Sequence, residues 1–237
     1  MKKILKLLLT FIVLINCFAC TQRNENDDET RKLYLEQPTI TTCSNNENLN
    51  LQIRFLCNDK NYTVSNYEIQ SSMKDILIDT LAVHYFENED GSLVVIFNLN
   101  LIMPVGKTNF DLHFNIDNET YTLKNITHTN FNNDFNFDSL EFVFNSIYTE
   151  EEGQPQEYTN NIIFNNFDVT NAEFNILGEE VKSIDKIGKN QVSIISTNNK
   201  SAVVGYYCII DGNMYSIGNA YHTEYLDKTK FSKCNNL

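Results

Sequence analysis

The chain has 237 residues and a formal charge of −13, with 31 acidic against 18 basic side chains. That surplus of negative charge repels phosphate backbones and anionic bilayers at long range, so it excludes electrostatic binding of nucleic acid and gives a membrane surface no footprint. No cofactor is expected.

At the N-terminus Lys2, Lys3 and Lys6 precede an uncharged apolar run from Leu7 to Ala19. The run is too short to cross a hydrocarbon core of roughly 30 Å, which needs about 20 helical residues. A basic start, a short apolar run and a small residue before the cut form the grammar of a secretory signal, so residues 1–19 read as a removed signal peptide. Cys20 follows Ala19, and a small residue immediately before a cysteine at the end of such a run resembles the lipobox of bacterial lipoproteins. The resemblance implies that Cys20 is acylated and becomes the first residue of the mature chain. Several acyl chains on one cysteine hold a protein on a bilayer where a single chain is marginal. Membrane contact is therefore expected through the lipid anchor alone.

Residues 20–46 read as the lipidated cysteine and a polar tether, because "NENDDETRK" has no apolar periodicity. The acidic residues Asp27, Asp28 and Glu29 soon after Cys20 resemble the export signal that sends lipoproteins of the Bacteroidetes to the outer face of the outer membrane. That likeness implies a surface-displayed outer-membrane lipoprotein. Cleavage before Cys20 removes three lysines and no acid, taking the formal charge from −13 to −16. Export also permits disulfides, and Cys43, Cys57, Cys208 and Cys234 are an even set. Two bridges are expected among them. Of the three connectivities, the local one pairs Cys43 with Cys57 and Cys208 with Cys234, each loop worth roughly 3 kcal/mol in the chain-entropy picture.

Beyond the tether the apolar period is two. "LNLQIRFLC" (49–57), "SLVVIFNLNLIM" (92–103), "TNFDLHFNI" (108–116), "DSLEFVFNSIY" (138–148), "QVSIIST" (191–197) and "SAVVGYYCII" (201–210) alternate Val, Ile, Phe and Tyr with polar residues between Asn/Asp-rich turns. "SSMKDILIDTLAVHYF" fits either period. The pattern predicts an all-β domain over residues 47–237, an antiparallel β-sandwich built of hairpins. The polar insertion "TEEEGQPQEYTNN" (149–161) is either one long hairpin loop or a split between two small sandwiches.

Three segments align without gaps as strand, four-residue polar loop, then Tyr, Thr or Ser, and an apolar residue: 53–66, 112–125 and 206–219. Each is expected to be a hairpin. Alternation puts Ile53, Phe55, Cys57, Tyr62 and Val64 on the core side, with Leu112, Phe114, Ile116, Tyr121 and Leu123, and Tyr206, Cys208, Ile210, Tyr215 and Ile217, as their counterparts.

Motifs for chemistry are scarce. His84, His113, His128 and His222 show no metal-ligand spacing, so no metal is assigned. There is no nucleophile turn and no phosphate-binding glycine loop, so no catalytic residue is assigned. "DFNFD" (134–138) opens like a calcium loop but lacks its Gly and closing Glu. The candidate ligand site is aromatic: Tyr207, on the outward parity of its strand, with Tyr221 and Tyr225 and their neighbours His222 and Glu224. Exposed tyrosines offer flat apolar faces with a polar tip, suited to a glycan or a protein ligand. The expectation is a non-enzymatic binding or accessory lipoprotein; the alternative is an exported hydrolase whose paired carboxylates no spacing would reveal.

Overall fold

Period-two alternation becomes strand throughout a computed structural model that describes residues 33–88, 91–132, 142–149, 156–165, 167–198, 202–222 and 231–232. Among the described residues there is no helix. The expected tether gives way early. β1 (Leu33–Glu36) and β2 (Thr39–Ser44) lie inside residues 20–46, and they bury Leu33, Leu35, Ile40 and Cys43. Their alternation is real but short, and Pro38, which has no N–H to give a ladder, falls between them.

Three sheets form. The first holds β3 (Asn48–Cys57), β5 (Leu77–Glu87) and β6 (Leu93–Ile102) with β1 and, at its far edge, β16 (Phe231–Ser232), in the order β16-β1-β3-β6-β5. The second holds β9 (Phe142–Thr149), β10 (Gln156–Phe164), β12 (Glu180–Ile187) and β13 (Gln191–Asn198), in the order β12-β13-β10-β9. The third runs β11-β14-β2-β8-β7-β4, with β15 also paired to β14. Its members are β4 (Tyr67–Ser71), β7 (Gly106–Ile116), β8 (Glu119–Asn130), β11 (Glu173–Leu177), β14 (Ala202–Ile210), β15 (Asn213–His222) and β2.

This last sheet serves two sandwiches. Phe55, Phe97, Leu99, Phe114 and Leu123 belong to one core, between the first sheet and the β2, β7 and β8 part of the third. Ile162, Val192, Phe174, Tyr206 and Cys208 belong to a second, between the second sheet and β11, β14 and β15. Within β14, Val203 faces the first core whereas Val204, Tyr206 and Cys208 face the other, as strand alternation requires. The two cores therefore lie on opposite faces of one continuous sheet. The change from one sandwich to the other falls between β8 and β9, and 149–161 overlaps the last residue of β9 and the first six of β10, strands that pair antiparallel with Tyr148 opposite Tyr158.

The joint is β2, parallel to both β8 and β14, an exception to the antiparallel rule seen elsewhere. Side chains complete the pairing that the ladders leave off. Asn219 accepts from the Cys43 N–H through Oδ1 (3.0 Å) and donates to the Cys43 carbonyl through Nδ2 (3.1 Å). Asn45 does the same for Ser216, at 2.8 Å each way. A carboxamide thus stands in for the missing strand neighbour, leaving these backbone groups satisfied.

Two of the three expected hairpins form. β7–β8 turns at Asp117–Asn118 and β14–β15 at Asp211–Gly212, with positive φ at both residues of each pair (48° and 71°; 51° and 80°). That is the two-residue turn whose twist matches antiparallel strands, tighter than the four-residue loop expected. Segment 53–66 is not a hairpin. After Cys57 the chain crosses to the other sheet, where β4 pairs with β7. Asp117 fastens the crossing, accepting from Tyr62 Oη (2.6 Å), Ser65 N (3.0 Å) and Asn66 N (2.8 Å). The inward parity of Ile53, Phe55, Cys57 and Tyr62 nevertheless holds, since all four are buried.

Candidate functional site

Of the expected tyrosine cluster, only Tyr207 has a side chain among the described residues. Tyr207 keeps its outward parity but is only 9% exposed, because Phe131, just past the end of β8, lays its ring against it with centroids 6.0 Å apart. It is a packing residue. Tyr221 and His222 end β15, opposite Val203 and Ala202, and their side chains, like the whole of Glu224 and Tyr225, lie outside the described residues.

The cysteines correct another expectation. Cys43, Cys57 and Cys208 are buried thiols rather than halves of a bridge, so the Cys43–Cys57 bridge is not formed; Cys234 lies outside the described residues, as does Cys20. Cys57 closes β3 inside the first core and donates weakly to the Asp59 carbonyl (3.5 Å). Cys43 is held at the joint instead, donating to Ser216 Oγ (3.3 Å) and to the Tyr206 carbonyl (3.5 Å). Burial pushes the Cys43 and Cys208 thiols up to about 12. At neutral pH neither supplies thiolate, the form that attacks or ligates.

One serine and one histidine do meet. His128 is fully buried, with Thr42 Oγ1 3.0 Å from Nδ1 and Ser44 Oγ 3.1 Å from Nε2. Ser44 Oγ donates its proton to the Asn46 carbonyl (2.5 Å), so toward His128 its oxygen accepts. Nucleophilic activation needs the reverse, with the hydroxyl proton aimed at the imidazole. Desolvation lowers the His128 pKa to about 4, leaving the ring neutral and bonded to β2 on both sides. The cluster pins β2 to β8. Elsewhere His113 Nδ1 sits 3.1 Å from Thr122 Oγ1, and among the described residues no three His, Cys, Asp or Glu side chains gather as metal ligands. The stretches 134–138 and 150–152 lie outside the described residues.

Two exposed features remain. A shallow depression of about 170 Å³ crosses β4, β7 and β8, lined by Glu68, Gln70, His113, Phe114, Asn115 and Thr120. Gln70 Nε2 already donates to Glu68 Oε1 (2.7 Å), and the Phe114 ring is in the core, so the depression has hydrogen-bonding groups but no flat face for a sugar. The other feature is β5. It is the last strand of its sheet and among the described residues pairs only with β6, yet it exposes Leu77 (61%), Leu81 (59%) and Phe86 (57%). Leu81 stands at a bulge, where the register with β6 shifts between Thr80 and Ala82. Tyr85 is tied back by the Val64 N–H, which donates to its hydroxyl (3.1 Å). The apolar residues of "LIDTLAVHYFE" outnumber the inward positions of one strand, which signals exposed apolar side chains but not an edge.

No protein-family model matches the chain, and no curated protein matches it. Among solved structures it is similar to one described as a marsupial T cell receptor, with 11% identity over 79% of this chain and 99% of that one. The TM-score is 0.21, a superposition too loose to carry anything about function.

Proposed function

We propose that the protein is an outer-membrane, surface-displayed lipoprotein, anchored at Cys20, that binds another polypeptide and is not an enzyme. The anchor rests on the Lys2–Ala19 signal grammar and on Ala19 before Cys20. The observation that carries the binding role is the unpaired β5 edge, with Leu77, Leu81 and Phe86 turned to solvent beside open backbone groups. Such an edge is a template for another chain, and a protein that keeps one exposed either uses it or aggregates through it. A glycan ligand is less well supported, since the depression on β4, β7 and β8 presents no exposed ring.

The test has two arms on intact cells. Mass spectrometry of the mature N-terminus should show acylated Cys20, and added protease should reach the β-domain; a chain starting at Thr21, or one shielded from protease, overturns the anchored display. A photoreactive phenylalanine analogue at position 86 should crosslink to a protein, whereas the same analogue at Ile184 in the second sandwich should not. Equal labelling at both sites overturns the binding role.

A further inference from the structure

We infer that the edge of β5 from Ala82 to Glu87 takes up an extended, basic polypeptide segment as an added strand. This deepens the binding role proposed above and rests on it. Among the described residues the backbone of Leu77–Glu87 makes hydrogen bonds only to β6. In an antiparallel ladder every second residue then points its N–H and C=O outward, away from the sheet. Natural edges are blunted by lysine, by proline, by brevity or by bulges. β5 is 11 residues long and contains neither lysine nor proline. Its bulge at Thr80–Ala82 disturbs only the first half, and from Ala82↔Asn98 to Glu87↔Leu93 the ladder is regular. Those six residues match the commonest strand length, so a partner strand has a full seat.

Charge selects the partner. From Asp75 to Gly106 the sequence has no Lys or Arg but five acids: Asp75, Asp79, Glu87, Glu89 and Asp90. Glu87 closes the seat, and in the sequence Glu89 and Asp90 come after Asn88. A second copy pairing edge to edge would set one strand that carries Asp79 and Glu87 and no lysine or arginine against another of the same charge. A segment alternating Lys or Arg with apolar residues instead sets its cations near Glu87 and its apolar side chains beside Leu81 and Phe86. Tyr85, held by the Val64 N–H, keeps the loop 58–66 fixed beside the same seat.

The full chain in detergent is titrated with a capped eight-residue peptide alternating lysine and valine. The same peptide with glutamate for lysine, and a version N-methylated at every second residue, are the comparisons. The lysine peptide should bind at least about tenfold tighter than the glutamate one, and several-fold more weakly when salt rises from about 50 to about 300 mM. N-methylation should abolish binding, and Phe86→Lys or Glu87→Lys should weaken it about tenfold without moving the unfolding midpoint. Indifference to N-methylation, or equal binding of the glutamate peptide, overturns the inference. So does concentration-dependent dimerisation that protects β5, which would make the occupant a second copy. On cells, an adduct at position 86 mapping to an acidic segment leaves the binding role standing and removes this inference, whereas no protein adduct removes both.

Discussion

The first sandwich closes on aromatic rings, with Phe55 edge-on to Phe97, Phe114 and Tyr121 at centroid distances of 5.5, 5.4 and 5.2 Å. The second closes, at one end, on a chain of polar groups: Asn160 Nδ2 donates to Ser196 Oγ (3.2 Å), which donates to Glu179 Oε2 (2.5 Å). Tyr158 and Tyr206 are buried in the same sandwich, and desolvation, then the Glu179 charge, raises the Tyr206 hydroxyl. Asn160 Oδ1 is buried and has no hydrogen-bond partner among the described residues. The comparison teaches that equal burial does not mean equal contribution. An apolar ring contributes through contacts that no other side chain replaces, whereas a buried amide with one unfilled acceptor offsets much of its own bond.

The contrast is tested hardest at Phe55. Phe55→Ala should lower stability by about 3–5 kcal/mol, read as a fall in the denaturant midpoint, because three ring contacts go and a cavity replaces them. A loss under about 1 kcal/mol would mean that the first core tolerates what was taken to be its keystone.

His128 gives the next largest effect, and it appears as pH dependence. The folded chain holds the imidazole near 4, against an ordinary value of about 6.5 in the unfolded chain. Between those values the unfolded state binds more protons, so stability is full above about pH 6.5 and falls as pH drops toward 4. The drop amounts to about 3 kcal/mol. Urea midpoints measured across that window should fall with acidity for the parent and less steeply for His128→Gln.

At the joint, Gly205→Ala places a Cβ 2.8 Å from both Cys43 N and Cys43 Sγ. Because one of those atoms is backbone, β2 must move away from β14, and the cost should be about 1–3 kcal/mol. If both sandwiches unfold together in the parent, this variant is where their transitions should begin to separate, by calorimetry. Smallest of all, Asn160→Leu should change stability by less than about 1 kcal/mol, since it removes an unfilled acceptor along with one bond. A loss as large as that of Phe55→Ala would erase the distinction between the cores.

Much of the fold was legible in the sequence. Strands at 48–57, 93–102 and 106–116 lie where the period-two runs are, and the inward parity of Phe55, Phe114, Tyr121 and Cys208 holds. β1 and β2 were hidden because four and six residues are too few for alternation to stand out beside a polar segment. The candidate site was less legible. Outward parity for Tyr207 was right, but parity cannot show that Phe131, 76 positions earlier, would cover it. The exposed edge was harder still, since an edge strand and a central one carry the same alternation until their neighbours are known.

The sequence by itself determined which residues extend, which face inward and where tight turns fall. Those properties depend on residues a few positions apart, through side-chain alternation and the positive φ that Asp117–Asn118 and Asp211–Gly212 adopt. Tertiary structure decided which strands become partners: β4 with β7 rather than β3, and β2 parallel between β8 and β14. Strand pairing uses the same N–H and C=O groups whatever the side chains, so the backbone expresses no preference among partners. The choice is made by long-range fits such as Asn219 on Cys43, Thr42 and Ser44 on His128, and Asp117 on Tyr62, and among the described residues those fits leave β5 at an end of its sheet.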